Sequence, residues 1–513
     1  MATTTTTTEG AARVRSWPVV LGLMALTAAM RLYGLRGEAV WVDEIVSFSH
    51  LDASSLGEYL RLVRQDDPTL FPLYFTLQYY WSHLFGAGMG TIRLLSVFLA
   101  LCTTPILYTL IQRFYGRLAA VTGTALFACA AAHIYYGQEI RMYALICLLA
   151  VVSAYTLFRS IETDWRGPWL AMHLAVNALL LATHLLATVF LFVEGLYLLL
   201  FYARSKRMWL TWGVAHGLLL IPWGYWLTRI EWADLGAASE WIPLPNKMHL
   251  WNILVMFCGG RFFSAAEIGP YMYTYMPADT AIAFFMTGLV LWFGLGAGGF
   301  RFMKRVQSKP QAVHVGSASK PTAFFALWAF VPVLVLFVIS HIHRPCLVDR
   351  YVLHSSIALF VLVAAAIATF PSRRLAVLFA CLLVGLEAYQ SLAIRKPWRV
   401  DWPAVAELVA QNVQPTDRLV MLHGSMMVSF RYHAPELAKR TEIIESIDEA
   451  MLLARDRTQP TLLMWWGWDD YLKFDILLDN EGIPAMKARV GGYPPLFVYY
   501  INGKPQRAGP GGT

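Results

Sequence analysis

Trp41-Val42-Asp43-Glu44 places two adjacent carboxylates a few residues beyond the first long apolar segment of the chain. Polar groups at membrane depth are expensive to hold and therefore tend to be functional. A carboxylate in such a place can act as general base on an acceptor hydroxyl. A second carboxylate beside it can hold a metal or raise the pKa of the first. Asp43 and Glu44 are the candidate catalytic pair, with a solvated loop pair as the alternative. Tyr135-Tyr136-Gly137-Gln138-Glu139-Ile140-Arg141-Met142-Tyr143 lies at a junction between two apolar segments. Glu139 and Arg141, two apart, can each face a polar cavity or form an ordinary loop ion pair. His343, Arg344, Asp349, Arg350 and Tyr351 precede a late apolar segment. Guanidinium binds phosphate bidentately, which suits a lipid phosphate at a helix end; the alternative is an arginine snorkelling to headgroups. His184 ends another segment. A divalent metal is an open possibility, with Asp66 and Asp67 as candidates and His341, His343 and His184 as further donors, although no ligand spacing is diagnostic.

These groups need elements to bring them together, and the composition says what kind. The 513 residues are 57% hydrophobic and 14% charged. That balance excludes an ordinary soluble domain and fits a multi-pass membrane protein. A bilayer core of about 30 Å takes roughly 20 apolar residues per helical span. The net charge of +8 matters less than where Lys and Arg fall, since they mark cytoplasmic loops. There is no basic stripe with interleaved aromatics, so nucleic acid is not an expected partner. Of the six cysteines, Cys258 and Cys346 fall in loops and can pair if both face outside.

Arg13 and Arg15 place the N-terminus inside, after a polar tail over 1–16. Spans are expected at about 17–35, 91–111, 118–135, 143–158, 168–184, 186–203, 209–228, 280–299, 322–340, 352–370 and 375–393. The aromatic stretch 70–85, with Gln78 and His83, reads as an interfacial helix of the first outer loop. Counting it as a span would move the basic clusters Arg204-Ser205-Lys206-Arg207, 301–320 and Arg373-Arg374 outside. Eleven spans put all three inside, and put Asp43, Asp66, 135–143, His184 and 341–351 on one outer side. A loop over 230–278, rich in Trp, Pro and Tyr, either covers a site or forms an interfacial aromatic belt. From about Lys396 the composition turns polar. Asp401-Trp402-Pro403 opens an amphipathic helix with Val405, Leu408 and Val409, and apolar runs at 419–422, 461–465 and 495–501 read as strands. The fold class is thus an α-helical polytopic membrane protein over 17–395 with a small extracytoplasmic α/β domain over 396–503 and a polar tail over 504–513.

Taken in order, several of these stretches resemble a known family. They are W-x-D-E after the first span, P-L-Y-F in the first loop, Y-Y-G-Q-E-x-R-M-Y-A-L, T-H, and R-Y-V-L near the last spans. The set is similar to the membrane glycosyltransferases of the GT-C type. It is nearest to the branch holding the protein O-mannosyltransferases and the lipid A aminoarabinose transferase, glycosyltransferase family 39 and its relatives. The likeness covers roughly 15–370. It implies transfer of a sugar from a polyprenyl-phosphate donor to a cell-envelope acceptor, at the outer face of the cell (inner) membrane. It implies Asp43 as the base, with Glu44 as its partner. Gln138, Glu139 and Arg141 are implied near acceptor or donor phosphate, and Arg350 and Tyr351 near donor phosphate. The chain departs from the family where relatives carry His or Asn directly before Pro-Pro-Leu-Tyr; here Asp66-Asp67-Pro68 precedes Thr69-Leu70-Phe71-Pro72-Leu73-Tyr74, and Asp66 or Asp67 takes that place. No cofactor beyond the possible metal is implied. The competing readings are a transporter or flippase of lipid-linked sugars and a non-catalytic assembly partner. Transporters of that kind tend to show paired repeats, and none is found in this sequence.

Overall fold

The computed structural model describes residues 16–37, 39–66, 71–229, 242–257, 315–393, 400–466, 471–490 and 496–503, together with the single positions 286, 288, 292 and 296. Most of the stretch expected to span at 280–299, and 230–241 and 258–278 of the loop expected over 230–278, lie outside the described residues, as do Asp67 and Cys258. Two compact units separate. The first holds residues up to Tyr33, from His50 to 257 and from 315 to 393; the second holds 34–49 and the described residues from 400 onward.

The first unit is helical because its sequence is a series of apolar runs broken by short polar turns. Among the described residues, six helical segments are long and apolar enough to cross a membrane: Met89–Cys129, Tyr143–Glu162, Leu185–Tyr202, Ser319–Ile342, Asp349–Ala368 and Arg373–Leu392. Trp17–Leu32 and Pro168–Leu181 are shorter apolar helices. The chain is therefore a multi-pass membrane protein. A straight helix of 41 residues would run about 60 Å, twice the hydrocarbon core. Met89–Cys129 avoids this by breaking at Gly116, whose φ of 82° is cheap only for glycine. Two expected spans, 91–111 and 118–135, thus meet head to tail across one glycine. The aromatic stretch forms the helix Pro72–Phe85, with Pro72 in its first turn and Tyr74, Phe75, Gln78, Tyr79 and Ser82 buried along one face. Trp17–Leu32 packs along Met89–Cys129, where Thr27 and Thr104 hydroxyls lie 3.1 Å apart.

The second unit is a three-layer α/β sandwich. Its five strands are β1 (Arg418–Leu422), β2 (Thr441–Ile444), β3 (Thr461–Trp466), β4 (Ala485–Val490) and β5 (Leu496–Ile501), in the order β2-β1-β3-β5-β4. β1 is parallel to β2 and β3; β5 is antiparallel to β3 and β4. Side chains alternate across a strand, and both faces are covered. Leu419, Met421, Leu462, Met464, Val498 and Tyr500 meet the helices Trp402–Asn412 and Met427–His433. Val420, Leu422, Leu463, Trp465, Phe497 and Tyr499 meet Ile447–Arg455 and Tyr471–Asn480. The central strands are therefore apolar on both sides. Asp401 caps the first helix, accepting from the Ala404 N–H at 3.2 Å. The short helix Val42–Phe48 belongs to this unit; Phe48 packs edge-on against Tyr432 with ring centroids 5.6 Å apart.

Candidate functional site

Three stretches far apart in sequence converge in the helical unit. The helix Ala131–Tyr136 ends in Tyr136, buried between the rings of Tyr135 at 5.1 Å and Tyr143 at 5.0 Å. Around its hydroxyl lie Asp349, Arg350 and Glu139. Burial pushes the Tyr136 pKa well up, the Asp349 carboxylate adds to the rise, Arg350 opposes it, and Glu139 adds again. The hydroxyl thus stays protonated and can donate. Glu139 is buried, and its carbonyl accepts from Ser96 Oγ at 2.5 Å. Gln138 Nε2 donates to the carbonyls of Arg31 at 2.5 Å and Tyr33 at 3.0 Å, which tethers the motif to the end of the first helix. Arg141 is half-buried.

Asp349 and Arg350 open a 3-10 turn over Asp349–Val352, and both are buried. Asp349 Oδ1 accepts the Arg350 backbone N–H at 2.9 Å. Tyr351 lies with its ring 5.0 Å from that of His184 and 5.8 Å from the Arg350 guanidinium. His184 Nδ1 accepts the Leu186 N–H at 3.0 Å and so caps the turn Leu185–Ala187. Gln138, Glu139, His184, Arg350 and Tyr351 are thus bound into linked contacts. His343 sits exposed just past the helix Val315–Ile342, and Arg344 is half-buried beside it. The Arg350 guanidinium and the protonated Tyr136 hydroxyl are donors of the kind a phosphate uses, with the Asp349 and Glu139 carboxylates beside them.

Arg31 was not singled out from the sequence, yet it organises this junction. It is fully buried, donating from Nη1 to the Ala128 carbonyl at 3.1 Å and from Nη2 to the Phe127 carbonyl at 3.2 Å. These are among the last carbonyls of Met89–Cys129, where a cation suits the helix end. Gly137 passes so close that a Cβ would meet Arg31 Nε at 2.8 Å. The sequence signal was a charged residue in the last turn of the first apolar helix.

Asp43 and Glu44 occupy the first turn of Val42–Phe48 in the second unit. Glu44 is fully buried and Asp43 half-buried, so Glu44 is no solvated loop residue. Ser47 Oγ donates to the Asp43 carbonyl at 2.7 Å. The acidic pair is thus positioned by the second unit's packing, and the Tyr136 constellation by the first's.

Of the metal candidates, Asp66 is engaged by His50, with Nε2 2.8 Å from Oδ2. Among the described residues one group of His, Cys, Asp or Glu has the closeness of a metal site, and it lies elsewhere: His173, Glu194 and His216, fully or nearly fully buried, with candidate ligand atoms within 4.8 Å of one another. The Asn177 amide fills the space between them. Its Nδ2 lies 2.8 Å from both Glu194 Oε2 and His216 Nε2. Trp212 Nε1 donates to His173 Nε2 at 3.1 Å, and His216 Nδ1 donates to the Trp212 carbonyl at 2.8 Å. Ser153 Oγ reaches Glu194 Oε1 at 2.7 Å. The donor set matches a metal, but a self-contained hydrogen-bond network already uses it. The sequence signal was a lone acid, Glu194, inside the apolar run Thr188–Tyr202.

No protein-family model matches the chain, and no curated protein matches it. Among solved structures it is similar to ArnT from Cupriavidus metallidurans in the apo state, with 14% identity over 96% of this chain and 98% of that one and a TM-score of 0.44. It is also similar to ArnT from the same organism bound to undecaprenyl phosphate, with 14% identity, coverage of 95% and 97%, and a TM-score of 0.47.

Proposed function

We propose that the chain is a membrane glycosyltransferase that moves a sugar from a polyprenyl-phosphate donor to a hydroxyl of a cell-envelope acceptor on the outer face, with inversion. The observation that carries this reading is the meeting of Glu139, Asp349 and Arg350 around one buried phenol, Tyr136. Three of these four fall in stretches whose order along the chain had suggested the chemistry. Arg350, aided by Arg141, offsets the phosphate charge as the donor's anomeric C–O bond breaks and the polyprenyl phosphate leaves with the electron pair. Asp43 takes the proton of the acceptor hydroxyl as its oxygen forms the new bond from the opposite face. Glu44, buried next to it in the chain, is its partner in this reading. The eleven-span arrangement, with a cytoplasmic N-terminus, belongs to the same proposal, as does an optional divalent ion near Asp66 or Asp67.

The test is Asp43→Asn assayed on a polyprenyl-phosphate sugar with purified, well-expressed protein. Turnover falling by about two orders of magnitude or more supports the base role. Turnover near wild type removes Asp43 from it. Wild-type protein that moves labelled lipid-linked sugar across liposomes without transferring it would favour a flippase.

A further inference from the structure

A second polar site lies at the other end of the helical unit, where Arg113 and Arg159 share Glu162 and Arg117 and Arg166 lie nearby in sequence. By the positive-inside rule that end is cytoplasmic. The first turns of Trp17–Leu32 and Pro168–Leu181, the last turns of Tyr143–Glu162 and the part of Met89–Cys129 before its break at Gly116 leave a cavity of about 870 Å³ between them. Trp17, Tyr108, Gln112, Arg113, Arg159 and Trp169 line it, with Val20 and Pro105 forming apolar wall.

The donors here outnumber the acceptors. Arg113 and Arg159 both engage Glu162: Arg113 through Nε at 2.9 Å and also through Nη2, Arg159 through Nη1 at 2.9 Å. Two guanidinium cations thus face one carboxylate. Arg159 Nε is buried without an acceptor, and its guanidinium lies 4.8 Å over the Trp169 ring. Deeper in the cavity the Tyr108 hydroxyl is also buried without a partner, on a side chain only 1% exposed. A buried donor left unmade costs free energy. Both side chains line one space, and an acceptor-rich occupant toward which they turn would satisfy both.

The layout specifies that occupant further. Five helical residues separate Arg113 from Tyr108, a drop of about 7.5 Å at 1.5 Å per residue. Cationic donors sit at the mouth, a neutral hydroxyl sits one turn and a half deeper, and apolar wall follows at Val20 and Pro105. That order is anion, then ester oxygen, then hydrocarbon. We propose that this cavity binds an anionic glycerophospholipid of the cytoplasmic leaflet, its phosphate on Arg113 and Arg159 and an ester oxygen on Tyr108. Basic pockets between membrane helices on that side are suited to such headgroups. The free phosphate ion lacks the apolar part that the deep wall requires.

The experiment is native mass spectrometry of the full-length protein, delipidated in detergent and offered equal palmitoyl-oleoyl phosphatidylglycerol and palmitoyl-oleoyl phosphatidylcholine. Expected is retention of one phosphatidylglycerol at about tenfold preference, the scale of one charge-assisted contact. Arg159→Gln abolishes the preference. Tyr108→Phe, which removes only an oxygen without a partner, weakens phosphatidylglycerol retention by about two- to tenfold. Inorganic phosphate at millimolar concentration does not compete. Equal retention of the two lipids by wild type, unchanged retention in both variants, or displacement by inorganic phosphate would each overturn the proposal.

Discussion

Gly137 stands between Tyr136 and Gln138, and its replacement by alanine probes the junction on which the site rests. Its φ is −78°, so the demand for glycine is steric and not conformational. A methyl there would come 2.6 Å from the His133 carbonyl oxygen, 2.8 Å from Arg31 Nε and 3.2 Å from Arg31 Cδ. Neither neighbour gives way freely. The carbonyl is backbone, and Arg31 is fully buried with Nη1 and Nη2 committed to the Ala128 and Phe127 carbonyls. Overpacking of this kind costs about 1–3 kcal/mol. If Arg31 swings away, the loss of its hydrogen bonds adds roughly 1.5–3 kcal/mol. Gly137→Ala is therefore expected to destabilise the helical unit by between about 1 and 6 kcal/mol. The assay is equilibrium unfolding in mixed micelles of rising SDS fraction, followed by tryptophan fluorescence. Wild type, Gly137→Ala, Arg31→Met and the double variant form a cycle. Because methionine removes the Nε contact, the alanine penalty should shrink in the Arg31→Met background by about 1 kcal/mol or more. Gly137→Ala within about 0.5 kcal/mol of wild type, or penalties that simply add, would refute the reasoning.

Other substitutions test the buried polar groups. Asn177→Leu removes the donor to Glu194 and His216 and should cost about 2–5 kcal/mol in the same unfolding assay, while chelation by 1,10-phenanthroline should leave the midpoint unmoved because the Asn177 amide bridges those side chains. Glu387 is fully buried in Arg373–Ala393, and neither carboxylate oxygen has a hydrogen-bond partner. Glu387→Leu should therefore stabilise the protein by about 1–3 kcal/mol; a loss would show that the carboxyl has a use. In the sheet domain, Arg455 holds the Glu481 carboxyl below its ordinary value of 4.5. A lowered carboxylate contributes stability above its unfolded pKa and loses it as pH falls through the folded one. The opening free energy of β3 and β5 from hydrogen exchange, corrected for the intrinsic pH dependence of exchange, should thus be flat above pH 4.5 and fall below it, with a shallower acid limb in Glu481→Gln.

Much of this molecule could be read locally. Among the described residues, apolar runs located most of the helices of the first unit to within several residues of their ends, because a span needs only its own length and composition. Strands β1, β3 and β5 were legible because, buried on both faces, they are continuous apolar runs such as Leu496–Ile501. β2 and β4 were not: at the two edges of the sheet, Glu442, Lys487 and Arg489 are exposed and break the apolar pattern. The acidic pair and the stretches at 135–143 and 341–351 were singled out because such residue types are rare beside apolar segments, and Glu44, Glu139, Asp349 and Arg350 are buried. What waited on tertiary structure was the pairing of polar groups across long intervals of chain. Arg31 finds carbonyls 96 and 97 residues away, and Ser153 finds Glu194 41 residues on. Periodicity is a property of neighbours, whereas the cost of burying a charge is settled by whichever distant group comes to face it, and that choice belongs to the packing of the helices.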